Sequence, residues 1–152
     1  MKVAHVIHGL EVGGLERLVV DLAGRSRAFG VEPSLVAFGE DGPVRAWAEA
    51  AGIPVTPLGT VRGMTPRALR QLGRALSAVS LAHAHDLGPW LNAVAARVLS
   101  PRTRVLATFH QLAPPSGRKA PLTSEAAGQK FRRAMDAFDP AQRHYDVSPR
   151  VL

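Results

Sequence analysis

Three histidines stand at the ends of apolar runs that are typical of buried β-strands. His8 and His110 each follow such a run, and His85 closes one. An imidazole can donate a hydrogen bond, accept one or take up a proton near pH 7, which suits contact with a polar substrate. In open α/β sheets, ligands bind outside the carboxyl ends of the strands, where the strand order reverses. If the strand order is the common 3-2-1-4-5-6, the three side chains face one crevice.

Two chemistries fit such a histidine cluster. One is hydrogen bonding to a substrate, and the other is a zinc site made of His8, His85 and His110, since three histidines are a known catalytic ligand set. Metal-binding motifs usually have short spacings between their ligands, and these three histidines are far apart in sequence. We therefore favour hydrogen bonding and predict no metal. His5 lies in mid-strand and is predicted to be a core residue. His83 shares a strand face with His85 and is predicted to be structural.

A glycine pair, Gly13 and Gly14, forms the second candidate site. It follows the first apolar run and opens a helical pattern whose apolar positions are Leu15, Leu18, Val19 and Leu22. Glycines at a helix start let the backbone approach a ligand, and the free N–H groups there attract anions. The same pair can also simply turn a corner, and the residues alone leave both interpretations open.

Composition excludes several classes of protein. The chain has 152 residues, 46% of them hydrophobic, which is enough for one domain with a sizeable core. It has no cysteine, which excludes a disulfide scaffold, a thiolate metal site and a cysteine nucleophile. No apolar run approaches the roughly 18 residues of a membrane span, and the start does not resemble a signal peptide. We therefore expect a cytoplasmic protein.

Short apolar runs alternate with helical patterns along the chain, which predicts an α/β fold. We expect a Rossmann-like, doubly wound, mostly parallel sheet of five to six strands. The run 53–58 contains two prolines and is predicted to be an edge strand. Residues 111–123 have no strand or helix period, which is typical of a functional or mobile loop. A helix is predicted at 125–138 and a sixth strand at 145–147.

A formal net charge of +7 indicates anionic partners, although an arginine-rich composition from a GC-rich genome gives the same balance. Arg67, Arg70 and Arg74 share a helix face that is either merely solvated or, with Arg118 and Lys119, binds an anionic membrane surface. The dinucleotide, P-loop and serine-hydrolase glycine motifs are absent. Basic residues are not interleaved with aromatic ones, so we expect no nucleic-acid binding.

Four short motifs, in this order and spacing, resemble one family. They are Gly13-Gly14-Leu15-Glu16-Arg17, His83-Ala84-His85, Thr108-Phe109-His110 and Val147-Ser148. They are similar to the Gly-Gly-x-Glu-Arg, His-x-His, Thr-x-His and Val-Ser motifs of the N-terminal domain of glycosyltransferase family 4-like proteins, which have the GT-B fold. The resemblance covers nearly the whole chain.

The resemblance implies two Rossmann-like domains that face each other across a cleft, of which residues 1–147 form the acceptor-side domain. Residues 148–152 would begin an interdomain helix, and the donor-binding domain would be absent. The family transfers a sugar from a nucleotide-sugar co-substrate with retention, usually without a metal or other cofactor. Gly13 and Gly14 would approach the donor diphosphate, and His110 would act catalytically near the transferred sugar. The acceptor side would be lined by His8, His85, Asp86, Gln111, Arg118 and Lys119.

Without the donor domain, its Glu-x7-Glu motif and its basic residues, we expect negligible transferase activity from the chain alone. A separate donor domain would then be a partner, and the protein would be cytoplasmic or peripheral to the inner membrane face. An alternative is a non-catalytic Rossmann-like module that binds a sugar or a partner. A third possibility, another GT-B enzyme such as a nucleotide-sugar epimerase, is disfavoured by the Gly13–Arg17 motif.

Overall fold

The computed structural model describes residues 1–60 and 65–110, and strands and helices alternate along them. The strands are β1 (Lys2–Ile7), β2 (Glu32–Ala37), β3 (Val55–Pro57), β4 (Leu81–His85) and β5 (Arg104–Thr108). The helices are α1 (Gly14–Ser26), α2 (Val44–Ala50), α3 (Pro66–Ser77) and α4 (Leu87–Ala96), with a single 3₁₀ turn at Arg27–Phe29. The loop, helix and strand predicted after His110, and the interdomain helix at 148–152, lie outside the described residues.

The described strands form one parallel sheet with the order β3-β2-β1-β4-β5. This confirms the α/β class, and it puts β3 at an edge as its prolines indicated. The order also meets the condition on which the histidines were expected to face one crevice. The first strand lies at the centre, where the order reverses between β1 and β4. The carboxyl ends of β1, β4 and β5 are therefore neighbours, as the histidine pattern required.

The two faces of the sheet are packed differently around β1, whose residues Val3, Ala4, Val6 and Ile7 are all buried. Ile7, Leu35 and Ala37 point towards α1 and α2, and they form a core with Val19, Val20, Ala23, Val44 and Ala48. On the other face, Ala4 pairs with Ala82 and Val6 with Ala84 across β1 and β4. Small residues there leave room for α4, whose Trp90 and Ala93 are buried.

Helix ends differ from the sequence expectation where hydrogen bonding tightens the last turn. The sequence pattern predicts a first helix over about 14–29, with Gly30 as its C-terminal stop, but α1 ends at Ser26 and the 3₁₀ turn completes it. Gly30 follows with φ of 75°, which confirms it as the predicted left-handed stop. For α4 the sequence pattern predicts a helix over 89–99, whereas the structure has it at Leu87–Ala96. Hydrogen bonds to the third preceding carbonyl then carry the chain to Ser100.

Helix starts follow the sequence more closely. Thr65 caps α3 through its hydroxyl oxygen, which accepts a hydrogen bond from the Ala68 N–H at 3.1 Å, and Pro66 is the first helical residue. For α2 the sequence pattern predicts Pro43 at the first helical position. The structure has it one residue earlier, at the N-cap. Within the described residues, no helix is long and apolar enough to cross a membrane.

Gly73 of α3 provides a test of the packing between α3 and Leu99, in the turn that follows α4. A Cβ at this position would lie 2.7 Å from Leu99 Cβ, whereas a Cβ at Gly24 of α1 would meet nothing within 4 Å. We expect Gly73→Ala to lower the free energy of unfolding by about 1–2 kcal/mol, because overpacking outweighs the gain in helix propensity.

The matched control Gly24→Ala adds the same methyl group to a helix with space for it. We expect this change to raise the free energy of unfolding by about 0.5–1 kcal/mol. Chemical denaturation of both variants measures the difference. Equal stabilisation by the two substitutions would contradict the close contact of Gly73 with Leu99.

Candidate functional site

The register of the parallel strands brings the histidines together. His5 is the partner of His83 across β1 and β4, and His85 is the partner of Thr108 across β4 and β5. Because side chains alternate along a strand, His5, His83 and His85 share one face of the sheet. His110 follows β5 by two residues and reaches the same group.

Three of these rings form a continuous hydrogen-bonded series, which we call the histidine chain: His5, His85 and His110. His5 Nδ1 lies 3.1 Å from His85 Nε2, and His85 Nδ1 lies 3.0 Å from His110 Nε2. The rings are nearly parallel, with interplanar angles of 20° and 25° and centroids 5.4 Å and 5.3 Å apart. His85, in the middle, is 1% exposed and uses both ring nitrogens within the protein.

His83 lies beside the histidine chain without joining it. Its Nε2 is 2.8 Å from Thr108 Oγ1, and its ring centroid is 4.3 Å from that of His85. Ring nitrogens of His5, His83 and His85 lie within 4.8 Å of one another, close enough to hold a metal ion. An ion there would replace hydrogen bonds that these rings already make. This trio also differs from the zinc set considered from the sequence, in which His8 and His110 accompany His85.

Burial keeps the rings of His5, His83 and His85 neutral near pH 7. It lowers the pKa of His5 to about 4, with a smaller contribution from the neighbouring His83. It also lowers the pKa of His85 to about 3, assisted by the nearby His83, His5 and His110. The pKa of His83 is lowered for the same main reason. A neutral imidazole has one N–H donor and one acceptor nitrogen, so each ring can donate in one direction only.

Asp86 fixes the position of His110. Its Oδ1 accepts a hydrogen bond from the His110 backbone N–H at 2.9 Å, and its own N–H donates to the Thr108 carbonyl at 2.8 Å. Its backbone, with φ of 74° and ψ of 170°, occupies a region that normally only glycine adopts, at a cost of about 1–3 kcal/mol. Such strain is typical of functional positions. The predicted acceptor residue Asp86 therefore also anchors the predicted catalytic residue.

The glycine pair lies at the start of α1, as predicted, but its two members differ. Gly13 is the N-cap, and a Cβ there would collide with Oε2 of Glu16, whose side chain folds back over it. A Cβ at Gly14 would meet nothing within 4 Å. The carboxylate of Glu16 thus occupies the space beside the first residue and leaves the second open. Sequence reasoning assigned no role to Glu16, although an acidic residue in the first helical turn is a recognised signal.

His8 is exposed at the same edge of the sheet. It lies against the start of α4, where a Cβ on Gly88 would be 2.5 Å from His8 Cε1. The structure thus places His8, Asp86 and His110 at the carboxyl ends of β1, β4 and β5, with His85 beneath the surface. The remaining predicted acceptor residues, Gln111, Arg118 and Lys119, lie outside the described residues. His5 is buried and hydrogen-bonded, which confirms the prediction of a core residue. Its bond to His85 was not predicted, although their placement on neighbouring strands depends on the register of His5 with His83.

Comparisons with known proteins point to one group. The family model described as Glycosyltransferase Family 4 matches residues 12–147. A crystal structure of a glycosyltransferase from Rickettsia africae is similar over 74% of this chain and 30% of its own, with 18% identity and a TM-score of 0.58. Anabaena HepE, solved in complex with UDP and glucose, is similar over 90% of this chain and 35% of its own, with 18% identity and a TM-score of 0.64.

The chain therefore spans about a third of the length of these structures, and at such identity the likeness shows the fold. No curated protein matches in sequence.

The buried histidines make stability depend on pH. Above pH 6.5 the folded and unfolded states both hold them neutral, but below it the unfolded chain takes up protons that the folded chain excludes. Stability is therefore lost as the pH falls from 6.5 towards the folded-state values of about 4 for His5 and about 3 for His85. Each such proton contributes a slope of up to about 1.4 kcal/mol per pH unit.

Replacing His5 with asparagine removes one of these protons. We expect His5→Asn to flatten the fall in unfolding free energy between pH 6.5 and 4.5, measured by urea denaturation, relative to the unmodified chain. Thr103→Ala is the control, because it removes a buried hydroxyl that donates to the Leu76 carbonyl at 2.7 Å but does not titrate. An unchanged slope in His5→Asn, or an equally flattened one in Thr103→Ala, would contradict the neutral burial of His5.

Proposed function

Since the chain belongs to Glycosyltransferase Family 4 and folds as a Rossmann-like half of a GT-B architecture, we propose that it is the acceptor-side half of a retaining, nucleotide-sugar-dependent glycosyltransferase. The family membership agrees with the resemblance found in the four sequence motifs. The observation that carries the proposal is the placement, at one edge of the sheet, of an open helix start at Gly14 and a histidine chain that ends at His110.

The start of α1 is proposed to meet the donor diphosphate. Its first N–H groups lack partners within the helix and carry the positive end of the helix dipole, which favours an anion. The open space at Gly14 lets a phosphate approach the backbone, whereas Glu16 lies over Gly13. A diphosphate that contacts Gly13 must therefore displace the Glu16 carboxylate. The positive helix start would stabilise the charge that develops on the leaving nucleotide diphosphate.

His110 is proposed to contact the transferred sugar. Its Nε2 is engaged by His85 and its backbone N–H by Asp86. Among contacts between residues 1–60 and 65–110, its Nδ1 is the ring nitrogen left, and we propose that it meets a sugar hydroxyl. His8 and Asp86, at the neighbouring strand ends, are proposed to meet the acceptor, together with Gln111, Arg118 and Lys119. His85 is 1% exposed, so we assign it to the acceptor side through its hold on His110 rather than by direct contact.

The donor and the partners of the site are inferred from chemistry and likeness. The net charge of +7 favours an anionic ligand, and Anabaena HepE is described in complex with UDP and glucose. We propose a nucleotide sugar as co-substrate with no metal or cofactor, and a glycan, lipid or small molecule as acceptor. Transfer would need a second, donor-binding domain, so the chain alone is proposed to be inactive. The alternative is a non-catalytic module that binds a sugar or a partner.

A cytoplasmic location at the inner membrane face is also part of the proposal. Arg67, Arg70 and Arg74 are all exposed on one side of α3. We expect binding to vesicles that contain anionic lipid, and we expect the binding to fall as salt is added. Changing the three arginines to glutamine should weaken it more than the control pair Arg25→Gln and Arg104→Gln. Absent or salt-insensitive binding in co-sedimentation would contradict the membrane role.

Gly14→Ala tests the diphosphate site without disturbing the fold. The added methyl group has space in the free protein, so the free energy of unfolding should change little, but the methyl group would stand between the backbone and a phosphate. We expect millimolar UDP-glucose to shift the backbone amide signals of Gly13 and Gly14 and the ring signals of His110 in NMR spectra of the unmodified chain. In Gly14→Ala these shifts should shrink several-fold.

Gly24→Ala, which adds a methyl group elsewhere in α1, is the matched control and should respond to UDP-glucose like the unmodified chain. Shifts confined to other parts of the chain, or equal shifts in Gly14→Ala, would contradict a diphosphate site at the glycine pair. Turnover of UDP-glucose by the chain alone, as glucose release or transfer, would contradict its role as an incomplete half.

A further inference from the structure

The histidine chain contains a buried ring that the proposed function does not use. His5 is 3% exposed, lies in the middle of β1, and is hydrogen-bonded to His85. A polar side chain in the centre of an apolar strand costs free energy unless its hydrogen bonds are satisfied. The bond between His5 Nδ1 and His85 Nε2, at 3.1 Å, supplies such a partner. This bond is also the inner end of a series that reaches His110 at the edge of the sheet.

We propose that His5 and His85 are positioning residues for His110, because the two hydrogen bonds oblige the three rings to adopt the same tautomer. The inference rests on the proposed function only in that it takes His110 as the residue that meets the sugar. Under this proposal, the tautomers of His5 and His85 determine whether His110 Nδ1 is a hydrogen-bond donor or an acceptor towards the ligand.

The requirement for one tautomer follows from which nitrogens are paired. If His5 donates from Nδ1 to His85 Nε2, the single proton of His85 is on Nδ1, and His85 donates to His110 Nε2. All three rings then carry the proton on Nδ1. If the bonds run in the opposite sense, His110 donates from Nε2 and all three rings carry the proton on Nε2. A mixed set of neutral tautomers breaks one of the two bonds or sets two donors against each other.

The protonation state of Nδ1, the other ring nitrogen of His110, is therefore set from inside the protein. In the first sense, His110 presents an Nδ1–H donor, and in the second an Nδ1 lone pair. His110 can take up a proton at its Nδ1 only when all three rings carry their proton on Nε2, because only then is His110 Nδ1 an unprotonated acceptor. Both hydrogen bonds lie in a partly or fully buried region, where a misdirected donor is costly, so the rings are expected to switch together.

Nitrogen NMR of the full chain tests this directly, because the ¹⁵N shifts of an imidazole distinguish its two tautomers. We expect His5, His85 and His110 to report one shared tautomer near pH 7.5. In His5→Leu, which removes the inner partner, the His110 shifts should move towards values averaged between the two tautomers. In His5→Asn, whose amide can occupy the place of Nδ1, they should return towards those of the unmodified chain.

His83→Gln is the matched control. It alters a ring that packs against His85 but lies outside the two bonds, and the new amide can keep the contact with Thr108 Oγ1. We expect its His110 shifts to match those of the unmodified chain. If His5→Leu fails to fold, the comparison of His5→Asn with His83→Gln still decides, since loss of the shared tautomer in His83→Gln alone would overturn the proposal.

Different tautomers among the three rings of the unmodified chain would overturn the proposal. So would stoichiometric Zn²⁺ binding that shifts His5, His83 and His85 together, since an ion at that trio would take the nitrogens that the hydrogen bonds need. None of these measurements uses a nucleotide sugar. If UDP-glucose does not shift the signals of Gly14 and His110, the proposed function is contradicted. The shared tautomer is then still tested separately by the nitrogen NMR measurements.

Discussion

The parallel register of β1, β4 and β5 is the constraint on which the site depends. It sets His5 opposite His83 and His85 opposite Thr108, so that alternation along each strand directs the histidines to one face. A shift of one residue between β1 and β4 would send His5 to the opposite face and break the histidine chain. Val3 and Ile7, which share the face of His5, are buried there and hold that register.

The histidine chain lowers the stability of the fold in acid, and it holds the side chains at the sheet edge in a fixed arrangement. Neutral burial of His5 and His85 makes the folded state vulnerable to protonation of the unfolded chain, and the unusual backbone of Asp86 adds strain. Both costs converge on His110, which is held through its ring by His85 and through its backbone by Asp86. Such support from two directions limits the positions that the His110 side chain can adopt.

Much of the fold was readable from sequence because its signals are local and repeat. Alternating apolar runs gave the strands, the prolines of 53–58 marked the edge strand, and Gly30 marked the end of the first helix. His5 was correctly predicted as a core residue, but its bond to His85 was not, because the two residues lie 80 positions apart in the chain. The position of the Glu16 side chain over Gly13 was also not predicted, because it depends on a rotamer that the hydrophobic periodicity of the sequence does not determine. The ends of α4 depend on competing hydrogen bonds in its final turn.

The central claim is that the three histidines form one hydrogen-bonded series from the strand centre to the sheet edge. Scalar coupling between ring nitrogens across an N–H···N hydrogen bond measures this directly in the ¹⁵N-labelled chain. The structure predicts coupling between His5 Nδ1 and His85 Nε2 and between His85 Nδ1 and His110 Nε2. Absence of coupling for either pair, in a folded sample at a temperature where the rings exchange slowly with water, would contradict it.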